Sequence, residues 1–442
     1  MVWIHYGAYR WSSGDSNIQG PEFLLQHDVL LVTFNYRLEV LGFLCLDTPE
    51  VPGNAGMKDQ VLALRWVQNN IEQFGGDRNN VTIFGTSSGG SSVSYHMISP
   101  MSQDLFHKAI SQSGVCIDNW AISHEPKQRA LRIGKVLGRE TSDTGELLEF
   151  LRSLPAETLA DNLNHKTATP EERKRDFPLY FVPTVEKKFP NVESFINENP
   201  IDMILSDKIK KVPFIIGYAS AEGLISITKM LQNLQFINKN PYCLIPREVA
   251  LTVSEDKLRE FGERVKEYYI NGGDWTDSDF RSLCDVASMI RFVYNVFRFA
   301  YMYARLPETQ SMYMYRCNYD TDLGVIKKMF GWVNVEGLSH GDDLNYFFTN
   351  DYTRTIYEEQ EALLKEKIYR VTKMWTDFAK TGNPTPDSSL GVAWRPFSAK
   401  SRDVLHIEEQ LRMAPVPEME QLRFWDSLYD EAGLANIKEL HV

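Results

Sequence analysis

The chain has 442 residues, of which 43% are hydrophobic and 24% charged, with a net charge of −12. This is ordinary globular composition with ample material for a large core. The acidic balance, without any Lys/Arg-rich tract, disfavours nucleic acid and anionic membrane surfaces as partners.

Met1 to Ile4 reads as a short apolar strand running into His5-Tyr6-Gly7-Ala8-Tyr9. Val29 to Tyr36 is a second buried-strand pattern. Lys58 to Phe74 has helical periodicity, with Val61, Leu64, Val67 and Ile71 on one face. Val81 to Phe84 is a strand, Ser91 to Met97 a helix, and Lys108 to Ser111 another strand that closes in Gln112-Ser113-Gly114. Ser123 to Asp207 mixes helix and loop, and the charge run Glu171 to Arg175 reads as a solvated face. Val212 to Ile216 is a short strand, followed by helical patterns over Glu255 to Tyr269 and Asp277 to Leu306. Ser311 to Cys317 is a strand, Ser339-His340-Gly341-Asp342-Asp343 a loop, and Glu358 to Thr381 a long helix. The alternation predicts an α/β protein with a mostly parallel central sheet flanked by helices. No repeat or linker divides residues 1–442, so one domain is expected.

No apolar run reaches the length of a membrane-spanning helix. The longest, Val286 to Leu306, is interrupted by Arg291, Arg298 and Arg305 and reads as a partly buried amphipathic helix. The five cysteines, Cys45, Cys116, Cys243, Cys284 and Cys317, have an odd count and scattered spacing. They suggest free thiols rather than a disulfide framework or a zinc site. A reducing compartment suits them, and no signal-peptide pattern precedes the first strand. The sequon Asn80-Val81-Thr82 enters a strand, where a glycan could not fit. An intracellular, cytoplasmic location is the expectation. No cofactor or metal is called for, and the composition leaves the oligomeric state open.

The informative stretch is Val81-Thr82-Ile83-Phe84-Gly85-Thr86-Ser87-Ser88-Gly89-Gly90. A β-branched and aromatic run ends in Gly-x-Ser-x-Gly, and a helical pattern follows. That is the context of a nucleophile elbow. Ser87 must sit on a sharp turn so that its Oγ projects, while Gly85 and Gly89 remove side chains where strand and helix pack closely. The helix N-terminus beyond it aims N–H groups at a developing oxyanion. A serine nucleophile needs a base and an orienting acid, in the chain order Ser, Asp or Glu, His. Of nine histidines, His5 precedes the elbow, and His27, His96, His107, His124 and His165 lie in the wrong region or on helices. His406 and His441 fall in the C-terminal tail. His340, in a loop of small and acidic residues, fits a base by order, and fits a plain surface histidine equally well. Glu222, directly after the strand Val212 to Ile216, is the best-placed acid, although a lone loop Glu is more often simply solvated.

Longer motifs narrow these alternatives. Asn35-Tyr36-Arg37-Leu38 with Leu41-Gly42-Phe43-Leu44, then Gly53-Asn54-Ala55-Gly56-Met57-Lys58-Asp59-Gln60, Phe74-Gly75-Gly76-Asp77 and Leu105-Phe106-His107-Lys108-Ala109-Ile110-Ser111-Gln112-Ser113-Gly114 occur in order. With the elbow, they resemble the type-B carboxylesterase and cholinesterase family of α/β-hydrolases, most nearly its insect α-esterase branch, over essentially the whole chain. The resemblance implies an α/β-hydrolase fold and a triad of Ser87, Glu222 and His340. It implies an oxyanion hole from the N–H groups of Gly7, Ala8 and Ser88, and a supporting role for Ser220. The implied function is a serine carboxylesterase that hydrolyses small hydrophobic carboxylic esters through an acyl-enzyme.

The chain departs from the family at several points. The family's oxyanion loop is a run of glycines after His5, and here it reads Tyr6-Gly7-Ala8. Tyr6 either takes a strained left-handed conformation or takes an allowed one and walls the alcohol pocket. Thr86 and Ser88 stand where the family carries Glu and Ala, so a second acidic group is lost. Glu39 stands where the family tends to have Gly, which threatens a tight turn. The family also has a substantial segment ahead of the strand at Met1. Without it, Val29 to Tyr36 is expected to form a sheet edge prone to aggregation. These departures keep open an alternative function: an impaired or inactive esterase-like protein that binds or sequesters ligands.

Overall fold

The computed structural model describes residues 1–437 except 162, 176–178, 352, 360, 361, 399 and 401. His441 of the sequence analysis lies outside the described residues.

Among the described residues, eight strands form one sheet in the order β2-β1-β3-β4-β5-β6-β7-β8. They are β1 (Val2–Ile4), β2 (Val32–Thr33), β3 (Thr82–Thr86), β4 (Lys108–Gln112), β5 (Phe214–Ala219), β6 (Met312–Cys317), β7 (Asp403–Ile407) and β8 (Arg412–Pro415). All neighbours pair in parallel except β7 with β8. Alternate residues of the central strands enter different cores. Val2, Ile4, Ile83, Ala109, Phe214 and Ile216 face one cluster, and Trp3, Phe84, Ile110, Ile215, Tyr313 and Tyr315 face the other. A parallel sheet covered on both faces needs this, and it explains why the strands read as continuous apolar runs.

The first core takes α2 (Ala55–Asn70) through Met57, Val61, Leu64 and Val67, after the short α1 (Glu39–Phe43) contributes Val40 and Phe43. The elbow helix α3 (Ser88–Ile98) is buried along its whole length. The second core takes the helix Ala362–Thr381 through Leu364, Ile368, Val371, Met374, Trp375 and Phe378. Side chains of this size each contribute roughly 1.5–3 kcal/mol when fully buried, so both layers hold the sheet firmly.

Four expectations change. Of Val29 to Tyr36 only Val32 and Thr33 pair, because β1 offers only the registers Val2↔Val32 and Trp3↔Thr33, and β2 is an edge of the sheet. The stretch Asp277 to Leu306 becomes α-helix Phe280–Ser288, a π-turn Met289–Val293 and α-helix Tyr294–Ala304. The last of these helices is buried nearly all round, with Arg298 donating to Glu248 and to Ala435 O, each at 2.6 Å. The charge run near Glu171 is not wholly solvated, since Glu172 pairs with the buried Arg129. His406 belongs to β7, not to a tail, and its Nε2 lies 3.1 Å from Pro415 O. All five cysteines are free and buried. Among the described residues no helix is long and apolar enough to cross a membrane.

Candidate active site

β3 ends at Thr86, and Ser87 is the N-cap of α3 with φ 59° and ψ −123°. That combination is sparsely allowed for a residue with a Cβ, and holding it costs about 1–3 kcal/mol. Neighbouring backbone supplies the restraint: Ser87 N–H donates to Gln112 O at 2.8 Å, and Ser91 N–H donates to Ser87 O at 2.8 Å. The elbow fits only because its flanking residues are bare. A Cβ on Gly89 would lie 2.1 Å from Ile4 O, and one on Gly85 would lie 2.5 Å from Gly89 C.

Glu222 follows β5 and is fully buried. Its Oε1 accepts from Ala219 N–H at 2.7 Å, and its Oε2 lies 2.6 Å from His340 Nδ1. A carboxylate accepts only, so this contact favours the tautomer with the proton on Nδ1, which leaves Nε2 as the acceptor of the neutral ring. The two loops are stitched together. Ala221 N–H donates to Leu338 O and Leu338 N–H to Ser220 Oγ, both at 2.9 Å, while Ser220 Oγ donates to Asn318 at 2.5 Å. On the other side, Gly223 N–H donates to Ser288 Oγ at 2.9 Å. The ring of Phe292 stacks on the His340 imidazole.

Beside the elbow, where Ile4 pairs with Gly85, β1 opens into the loop His5 to Trp11. Left-handed φ falls on Gly7 (112°), Ala8 (55°) and Tyr9 (59°), not on Tyr6. Tyr6 therefore takes an allowed conformation, and its ring packs edge-on against Trp11. The peptide planes here are fixed through their carbonyls. His5 Nδ1 lies 2.8 Å from Tyr6 O, and Gly7 O accepts from Arg10 N–H at 2.9 Å and Trp11 N–H at 3.2 Å. In a trans peptide the N–H points opposite to the C=O, so the Gly7 and Ala8 N–H groups are directed away from these partners. Burial pushes His5 down to about 4, so its ring is neutral and Nδ1–H donates to Tyr6 O. Ser88 N–H, at the first position of α3, has no intrahelical acceptor.

Two residues beside the His340–Glu222 pair were not singled out from the sequence. Asp343 is buried, its Oδ2 accepting from Gln112 Nε2 at 3.1 Å, and Trp375 Nε1 donates to Gln112 Oε1 at 3.3 Å. Burial, with the nearby Glu222 charge adding, pushes Asp343 up to about 6. Its place three residues after His340 was the available signal. Phe292 had none, because it reaches the site from a helix far away in sequence. Thr86 is buried at the end of β3 and carries no charge there. Among the described residues no cluster of His, Cys, Asp and Glu is arranged to hold a metal ion.

An eight-stranded, mostly parallel sheet with a strained serine at a strand–helix elbow and a buried His–Glu pair beyond later strands defines an α/β-hydrolase. Juvenile hormone esterase from Manduca sexta, solved with OTFP covalently attached, superposes with a TM-score of 0.84 at 30% identity, covering 97% of this chain and 80% of that one. The Carboxylesterase family profile matches residues 1–425. A carboxylic ester hydrolase of Bombus ignitus is 33% identical over 97% of this chain and 75% of its own length. Esterase FE4 of Myzus persicae is 34% identical over 91% and 70% respectively, and juvenile hormone esterase of Tribolium castaneum 31% over 88% and 68%. The chain belongs to the carboxylesterase family. Its activity is that of a carboxylic ester hydrolase.

Proposed function

We propose that the chain hydrolyses small hydrophobic carboxylic esters by two-step acyl transfer, with Ser87 as nucleophile, His340 as base and Glu222 as orienting acid. His340 Nε2 takes the Ser87 proton as Oγ attacks the ester carbonyl. The tetrahedral oxygen forms against the N–H groups of Gly7, Ala8 and Ser88. The imidazolium returns the proton to the leaving alcohol, which gives an acyl-Ser87 ester. Water then attacks by the same route and releases the acid. Glu222 holds the productive tautomer and stabilises the imidazolium that forms in each step. Ser220 supports the arrangement from behind, through its bonds to Leu338 and Asn318.

The observation that carries this reading is the 2.6 Å contact between His340 Nδ1 and the buried Glu222, on the same sheet as the strained Ser87 elbow. A fluorophosphonate probe tests it. Covalent label is expected on the peptide containing Ser87 and is expected to vanish in Ser87→Ala. Label on another serine, persisting in that variant, overturns the assignment.

A further inference from the structure

Glu39 carries two penalties at once. Its φ is 52°, a left-handed conformation that costs a residue with a Cβ about 1–2 kcal/mol. Its side chain is buried, and a carboxylate taken out of water is costly unless paired. Burial raises the Glu39 carboxyl's pKa, with Asn164 and Arg10 opposing. A glycine would make this turn freely and would still offer its N–H to Tyr9 O, the bond that Glu39 N–H makes at 2.8 Å. What the glutamate adds is its side chain, and Oε1 lies 2.9 Å from Arg10 Nε.

Arg10 directly follows the three left-handed residues Gly7, Ala8 and Tyr9. Its N–H holds Gly7 O at 2.9 Å, the contact that sets the Gly7–Ala8 peptide plane and hence the direction of Ala8 N–H. Its guanidinium is held by Glu39. Glu39 in turn opens α1, whose Val40 and Phe43 sit in the core, and Phe43 packs against the buried Tyr9 ring at 5.1 Å. A continuous path thus runs from the core through Glu39 and Arg10 to Gly7 O.

We propose that Glu39 and Arg10 form a positioning pair that braces the oxyanion loop. The proposal rests on the assignment of Gly7 and Ala8 as oxyanion donors. Neither Glu39 nor Arg10 touches the substrate. They act on catalysis by keeping the Ala8 N–H aimed, and such preorganisation is what makes an oxyanion hole effective.

The test uses the full chain and the variants Glu39→Gly, Arg10→Met, their double, and the conservative Glu39→Gln. For each, kcat and KM are measured on a short nitrophenyl ester per Ser87 site titrated with a fluorophosphonate. Affinity for a trifluoromethyl ketone, which forms a tetrahedral adduct, is measured alongside. Glu39→Gly and Arg10→Met are each expected to lower kcat per titrated site about tenfold, with KM within about twofold, and the double to be no worse than the poorer single. Ketone affinity is expected to fall by the same factor as kcat/KM. Glu39→Gln, which keeps an acceptor for Arg10, recovers part of the loss. Unchanged kcat per site, losses that multiply in the double, or a loss confined to the number of titratable sites overturns the pair. Absence of Ser87 labelling in the unaltered chain overturns the parent reading instead.

Discussion

Phe292 lies flat on the imidazole of His340, with ring centroids 4.1 Å apart and planes 21° from parallel. Phe292 lies within the π-turn Met289–Val293. Such a turn shifts the register of a helix and frees a carbonyl, and Arg291 O accepts here from Trp120 Nε1 at 2.7 Å. Ser288, just before the turn, holds Gly223 beside Glu222. One helical stretch therefore holds both the loop of Glu222 and the ring of His340. Stacked aromatic pairs contribute about 0.5–1.5 kcal/mol beyond their burial, so Phe292→Leu is expected to lower kcat roughly 2–10-fold. Steady-state kinetics normalised to fluorophosphonate-reactive sites would check this, and unchanged kcat in a fully labelled variant would count against it.

Glu222→Gln keeps the shape of the His340 contact but removes the charge that favours Nδ1–H and the imidazolium. A loss of about 10⁴ in kcat is expected, by analogy of role with other orienting acids. His340→Ala is expected to lose at least as much. Combining either with Ser87→Ala should add little, because the three groups act as a unit. Single and double variants assayed on one ester decide the matter, and near-normal turnover in His340→Ala would refute the triad.

The loop conformation sorts the family departures. Ala8 is left-handed and Tyr6 is not, so Ala8→Gly is expected to raise stability by about 1 kcal/mol while Tyr6→Gly relieves no backbone strain. Gly7→Ala is a different case. Its φ is 112°, and the added Cβ would lie 2.0 Å from Trp11 O, so the turn that sets Ala8 N–H must open. Misdirecting one donor is expected to cost about 10²–10³ in kcat. Thermal melts and ester kinetics on the three single variants test both halves, and an active Gly7→Ala enzyme would show that this loop is not the oxyanion hole.

Asp343 gives a pH dependence of definite sign. Its carboxyl is pushed from 3.8 to about 6 by burial, with Glu222 adding to the shift. Between those values the folded state holds a proton that the unfolded state has released. Stability from this group therefore falls as pH rises through that window and is flat above it. Asp342 behaves likewise up to about 7, again through burial, while its carboxylate accepts from the N–H groups of Ile326 and Lys327. Asp343→Asn mimics the protonated form, so its melting temperature relative to the unaltered chain is expected to rise between pH 4 and pH 7. A difference that stays constant, or that falls with pH, would contradict the reading.

The strand–helix turn at Ser87 and the placement of Glu222 after an apolar run carry local signals in the sequence, and their proposed roles rest on those signals together with the resemblance. Ser87 sits at a change from strand to helix pattern with glycines at fixed offsets, and Glu222 directly follows an apolar run. The resemblance then separated His340 from a surface histidine. The sheet class followed from the alternation of short apolar runs with helical ones, and the α2 face Val61, Leu64 and Val67 was readable from its period. Strand limits were less so. Pairing, not propensity, ends a strand, and β2 stops at two residues because its neighbour β1 is short.

What the sequence could not supply is every relation between distant segments. Phe292 meets His340 from a π-turn inside what the sequence presents as one helical pattern. Asp343 and Gln112 meet across 231 positions, and no local pattern announces such a contact. The left-handed strain that Tyr6 threatened falls instead on Ala8 and Tyr9, because the closure of Gly7 O onto Arg10 and Trp11 chooses which residues must turn. Glu39, read from the sequence as a disturbance, has its cost offset by Arg10 on a neighbouring loop. Local chemistry is written in spacing and side-chain type. Which strain is tolerated, and which charge is paired, is decided by packing between segments far apart in the chain.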